Sequence, residues 1–422
     1  MFKYKTFFVC ILPILLLTPL RAAVIVIMPY LVILIAKWGK LSVSPIFYIW
    51  LYLMILSSCY GLIVATTEWA NVLLSFWIIV PIMFLFYSHP RRVFSNMYID
   101  NIIRNFTYVM AFIDIIGFIC YLWYPMDDQY NIPYGTHFNG THGIGLLNTF
   151  FCFYYMFLSP IKSISKYSLF WALFFFINFI LCFYGSGVLA LGGTMILFLI
   201  FNFKIKNILI ALLLIAITVG VIAYSNPGNI TNLSSKYEKY IIEAEVLPRK
   251  IIMYYNYINH VNTYPVSSIF VGVGPGGYNS RIAWLINNDS NNLFTKLLGH
   301  HMPVFHTSDT YPLWNKELYT IPFMDGSANK PFSSLVAIAS EYGLISFLLF
   351  VFYCISRIVK SYRNMKNSSL YMGLFFMHVY MFISLLSDTW LESSEFLFYI
   401  LFVLLIEIKI KNSGQESYSL RK

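Results

Sequence analysis

Apolar runs alternate with short polar connections along almost the whole chain. Runs of roughly 17–25 apolar residues cross a bilayer as helices. In lipid only a helix or a closed barrel pairs every backbone group. The runs here are continuous rather than alternating residue by residue, which selects helices over a barrel. The pattern predicts helices at 7–20, 22–36, 46–65, 71–87, 102–123, 144–159, 167–184, 187–203, 207–224, 333–356, 370–387 and 393–409. This predicts an all-α polytopic membrane protein of about twelve spans. Residues 1–224 form a membrane domain with nine of them, 225–332 form one long polar loop, and 333–422 hold the last three and a tail.

Composition agrees with the pattern. Hydrophobic residues make up 59 % and charged residues 11 %, against about 25 % charged in soluble domains. Mean hydropathy is +0.69. The net charge of +10 invites a nucleic-acid reading, but its distribution excludes one. Of 28 Lys and Arg residues, 19 fall on the side that holds both termini, in loops such as Lys37–Lys40, Lys204–Lys206 and Arg357–Lys366. The short loops opposite hold only Arg21. Basic residues accumulate on the cytoplasmic side of spans, so both termini are expected in the cytoplasm and the long loop outside. All six cysteines (Cys10, Cys59, Cys120, Cys152, Cys182 and Cys354) lie in predicted spans, so the loop has no disulfide framework and no cysteine-based zinc site. Asp114 and His378 are the clearest ionisable residues within spans, and such residues are functional candidates by default.

Within the loop, Ser234–Val246 and Arg249–His260 read as helices, with Arg249, Met253 and Asn256 on one face of the second. Residues 285–329 show no periodicity and read as irregular. Gly272-Val273-Gly274-Pro275-Gly276-Gly277-Tyr278 matches a dinucleotide fingerprint literally but lacks the βαβ unit that motif requires. Its glycines instead let backbone N–H groups approach an anion, or simply form a turn. Arg249 and Arg281 flank it, and a guanidinium pairs with phosphate bidentately. The alternative for these arginines is a lipid-headgroup contact or a surface pair with Glu243 or Glu245. His300, His301 and His306 near Asp309 fit no standard metal spacing, although one of them could serve as a base for a sugar hydroxyl. Lys330-Pro331 precedes the returning helix, where Glu341 sits among apolar neighbours and is expected to pair with a loop cation or favour the helix N-terminus.

Taken together, the topology, Arg249, Gly272–Tyr278 and Glu341-Tyr342-Gly343 resemble the O-antigen polymerase and ligase superfamily. The motif-level likeness covers residues 245–350. The ligase branch carries a His-Asn pair before the returning helix. Lys330-Pro331 stands there instead, which favours the polymerase side. The resemblance implies a glycosyltransferase at the periplasmic face of the bacterial inner membrane. Its substrate would be an oligosaccharide on undecaprenyl diphosphate, with no cofactor or metal. It implies Arg249, Lys330 and Glu341 in catalysis, and Arg281, Gly272, Gly274, Gly276, Gly277, Tyr278 and His306 in substrate binding. The base stays open between Lys330, an upstream histidine, or neither. Membrane lipid and a chain-length regulator are expected partners. The alternatives are a ligase and a lipid-linked oligosaccharide flippase or transporter.

Overall fold

The computed structural model describes residues 6–18, 21–65, 67–91, 95–123, 141–158, 168–182, 185–201, 205–225, 247–287, 302–314, 332–365 and 369–419. Nearly all of them are helical. A π-helical turn at Phe7–Ile11 leads into α1 (Leu12–Leu17), followed by α2 (Arg21–Gly39), α3 (Pro45–Ile63), α4 (Trp69–Phe86) and α5 (Asn96–Trp123). Next come α6 (Thr141–Phe153), α7 (Ser168–Leu181), α8 (Gly185–Phe201) and α9 (Ile205–Ser225). The polar segment contributes α10 (Arg249–Thr263), α11 (Val266–Val271), α12 (Arg281–Asn287) and α13 (Tyr311–Trp314). The chain then returns through α14 (Ser334–Glu341), α15 (Gly343–Asn364), α16 (Ser369–Ser387) and α17 (Ser394–Ser419).

Among the described residues, α3, α4, α15, α16 and the Asn96–Cys120 part of α5 are long and apolar enough to cross a membrane. The protein is an all-α membrane protein. The last helix lies at its centre: every residue from Phe396 to Ile406 on α17 is buried. A helix apolar all round belongs in the middle of a bundle.

Two ends of the bundle can be told apart. At one, β1 (Leu41–Val43) pairs antiparallel with β2 (Ser88–Pro90), with Ser42 opposite His89. Arg357 pairs with Glu407 there, and Lys409 with Asp100 at 2.8 Å. Ser44 starts α3 from this hairpin by accepting the Ile46 amide at 3.3 Å, with Pro45 in the first turn. α3 and α4 then run to the opposite end, where the polar segment is seated.

Three expectations change. The helix predicted over 333–356 is broken at Tyr342, with Gly343 at φ 84°. The stretch expected to be irregular holds the end of α12, a π turn at His306–Thr310 and α13. The helix predicted over Arg249–His260 runs to Thr263, with Pro248 as its N-cap. The helix predicted over Ser234–Val246 lies outside the described residues.

Candidate functional site

The glycine segment is held by two carboxylates. Glu341 ends α14, a helix started by Ser333, whose hydroxyl accepts the Val336 amide at 3.3 Å. Its carboxylate accepts the amide of Gly276 at 2.7 Å on Oε2. It accepts those of Tyr278, Asn279 and Ser280 at 3.1, 3.0 and 2.9 Å on Oε1. Glu392, in the short turn between α16 and α17, accepts the next amides, those of Arg281 and Ile282. Successive amides in a tight turn form an anion-binding concavity. Here the anions are the protein's own. Among the described residues Glu341 therefore pairs with backbone amides rather than with a loop cation or its own helix N-terminus, and these amides are not open to a diphosphate.

The backbone conformation follows from how closely the segment approaches the bundle. Gly272 has φ 89° and Gly343 has φ 84°, both in the left-handed region that L side chains avoid. A Cβ on Gly272 would strike the Glu341 carbonyl, and one on Gly343 would strike the Phe270 carbonyl. The two turns lie against each other with no room for a side chain. Val273 N donates to Ser340 O at 2.8 Å and Gly274 N to Glu341 O at 3.1 Å. Gly277 N closes a turn onto Gly274 O at 3.0 Å. The bundle grips from below: Thr67 Oγ1 donates to Val273 O at 2.8 Å, Asn71 Nδ2 to Gly276 O at 2.8 Å, and the Ser57 hydroxyl to Glu341 O.

Arg249 opens α10 and is completely buried, with Nη1 donating to Leu313 O at 3.3 Å. One turn on, Met253 is buried and its sulfur receives Asn279 Nδ2 at 2.7 Å. Asn256 Nδ2 donates to Asp309 O at 2.8 Å. The face predicted to carry Arg249, Met253 and Asn256 thus packs against the glycine segment and residues 302–314. Arg281 differs: its backbone amide is held by Glu392, but its side chain is exposed.

His306 is buried, with Nδ1 2.6 Å from Tyr278 O. Burial pushes its pKa down to about 4, so the ring is neutral. Asp309, on the same turn, pairs with His260 Nδ1 at 3.2 Å. Asp309 also accepts the Tyr278 hydroxyl at 3.1 Å and the Ser308 hydroxyl at 2.6 Å. Burial, and next the Asp309 charge, hold the Tyr278 pKa well above that of free tyrosine, so it stays a donor. His260 Nε2 is buried and has no hydrogen-bond partner among the described residues. Burial and next the Glu341 charge push Glu392 up to about 8.

Lys330, His300 and His301 lie outside the described residues. Sequence reasoning gave no role to His260, Glu392, Thr67 or Asn71. His260 had a signal, since it continues the Arg249–Met253–Asn256 line at helical spacing. The other three read as ordinary polar residues at span ends.

No protein-family model matches the chain, and no curated protein matches its sequence. Fold and site alone define an all-α membrane protein with a cluster of buried ionisable groups at one end of its bundle.

Proposed function

We propose that this chain is an O-antigen polymerase of the bacterial inner membrane. On this reading it has twelve spans, cytoplasmic termini and its 225–332 loop in the periplasm. It joins oligosaccharide units carried on undecaprenyl diphosphate. The anomeric C–O bond between the growing glycan and its diphosphate breaks, and a new C–O bond forms to a hydroxyl of the incoming unit. The proton of that hydroxyl passes to a base, and the electron pair leaves with the diphosphate.

The observation that carries this reading is the Arg249 guanidinium, wholly buried at the head of α10 one turn before the methionine that receives Asn279. A guanidinium keeps its charge when buried. In a dry site it stabilises a departing diphosphate more than it would in water. Leu313 takes one of its N–H groups in this state, so the donor reaches Arg249 by displacing residues 302–314. The glycine segment acts through shape rather than by donating hydrogen bonds to substrate, since Glu341 occupies its amides. His260, oriented through Nδ1 by Asp309, has the arrangement of a base with its carboxylate and joins Lys330 as a candidate.

The test is lipopolysaccharide from a strain lacking the chain, complemented with wild type or with Arg249→Ala. Core bearing a single repeat, with a ladder restored only by wild type, is expected. A full ladder from Arg249→Ala at normal protein level would remove Arg249 from the reaction. Core with no repeat at all in the deletion strain would assign the chain to ligation or lipid-carrier flipping instead.

A further inference from the structure

α10 presents three faces. Arg249, Met253 and His260 point into the buried cluster. Lys250 and Tyr254 reach the end of α16, where the Lys250 ammonium donates to Ser387 O and the Tyr254 hydroxyl to Leu386 O. Tyr254 Oη also lies 2.9 Å from Ser333 Oγ. The third face is apolar and uncovered: Ile251 is 50 % exposed, Tyr255 59 % and Ile258 58 %, at i, i+4 and i+7, with Leu247 just before them also exposed. At 3.6 residues per turn, this stripe lies roughly 90° around the helix from the Lys250–Tyr254 line. A helix resting one face on the end of a span therefore turns this stripe sideways, away from the bundle.

The neighbouring surface is of the same kind. α11 leaves Val266 and Phe270 exposed. It is tied to α3 by Tyr60 Oη and Ser267 Oγ, 3.0 Å apart, and its end abuts Gly343 at the start of α15. Ile63 on α3 and Ile345 on α15, also exposed, belong to helices long and apolar enough to cross the membrane. The exposed side chains of α10 and α11 are thus of the same apolar kind as those on the outer faces of the span-length helices. An aqueous surface seldom carries so many large apolar side chains on one short segment. An apolar stripe that carries a tyrosine suits a helix lying in the interface.

We propose that α10 is an interfacial helix. Its Ile251–Tyr255–Ile258 stripe inserts into the lipid leaflet at this end of the bundle and fixes the depth of the buried cluster relative to the headgroups. The insertion rests only on the chain being a membrane protein. If the polymerase reading also holds, it sets Arg249 near the level of lipid phosphates.

The experiment uses the full chain in vesicles of phosphatidylethanolamine and phosphatidylglycerol, with the native cysteines replaced. Nitroxide labels are placed singly at Ile251, Tyr255 and Ile258, and at Thr263 on the polar side. The expected result is an oxygen-to-nickel-chelate accessibility ratio several-fold higher at the three stripe positions than at Thr263. Equal ratios would mean an aqueous loop, and protection from both reagents would mean a protein neighbour; either overturns the proposal. Quenching by brominated lipid of a fluorophore on the same cysteines gives a second reading that does not use nickel. No outcome depends on glycan polymerisation, so failure here is distinguishable from failure of the proposed activity.

Discussion

Glu341 is the residue on which the site turns. Its carboxylate accepts four backbone amides that are otherwise buried, and each such donor left without an acceptor costs about 1–3 kcal/mol. Glu392 takes the adjoining amides, so two buried carboxylates share one short segment. The consequence for pH follows from sign. Glu392 has a folded pKa of about 8, above its ordinary value, so its stabilising contribution is full at low pH and is lost as pH rises through 8. His306, pushed down to about 4, is bound neutral, and stability falls as pH drops from about 6.5 towards 4. Of these two groups, only Glu392 acts between about pH 6.5 and 8. Glu392→Gln keeps an acceptor for Arg281 N and removes the second charge. Its melting temperature in detergent should fall less between pH 6.5 and 9 than that of wild type. Parallel curves would show that Glu392 does not titrate in that range.

At the scale of elements, apolar runs were legible and their interruptions were not. A helix stands at each of the twelve predicted stretches, with ends displaced where polar residues extend a helix, as at Asn96 and beyond Lys409. The break between α14 and α15 was invisible because hydrophobicity runs through it from Leu335 to Phe352; only Glu341-Tyr342-Gly343 marks the place. In the site, Arg249 and the glycine segment were readable as chemistry, but the anion facing the glycines was not, since it lies more than sixty residues downstream. The His260–Asp309 pair was hidden for the same reason: 49 residues separate its members. Gly343→Ala tests the break directly. Its Cβ would meet the Phe270 carbonyl and the left-handed φ would be strained, so a loss of about 3 kcal/mol or more is expected. Limited proteolysis should then cut within 272–280, where wild type resists. A resistant, normally melting variant would mean that the two turns separate at little cost.

At the scale of the molecule, the proposed orientation rests on charge. The hairpin end carries Arg357 paired with Glu407, Lys409 with Asp100, and Lys411 bonded to Pro90 O at 2.8 Å. The opposite end carries the buried carboxylates and histidines. With the hairpin end in the cytoplasm, green fluorescent protein at the C-terminus should fluoresce, and alkaline phosphatase fused after Asn291 should be active. A silent phosphatase with a fluorescent C-terminus would put the loop on the wrong side and sink the periplasmic reading.

The glycine segment is bound on one side to Thr67 and Asn71 and on the other to Glu341 and Glu392. During synthesis it emerges long before its carboxylates do. Until residue 341 has been made, the amides of Gly276, Tyr278, Asn279 and Ser280 lack their acceptor, and those of Arg281 and Ile282 wait for residue 392; contacts so distant in sequence close slowly. The site is therefore completed only after α16 has been made. A nascent chain stopped between α15 and α16 would hold Glu341 and still lack the second carboxylate of the site.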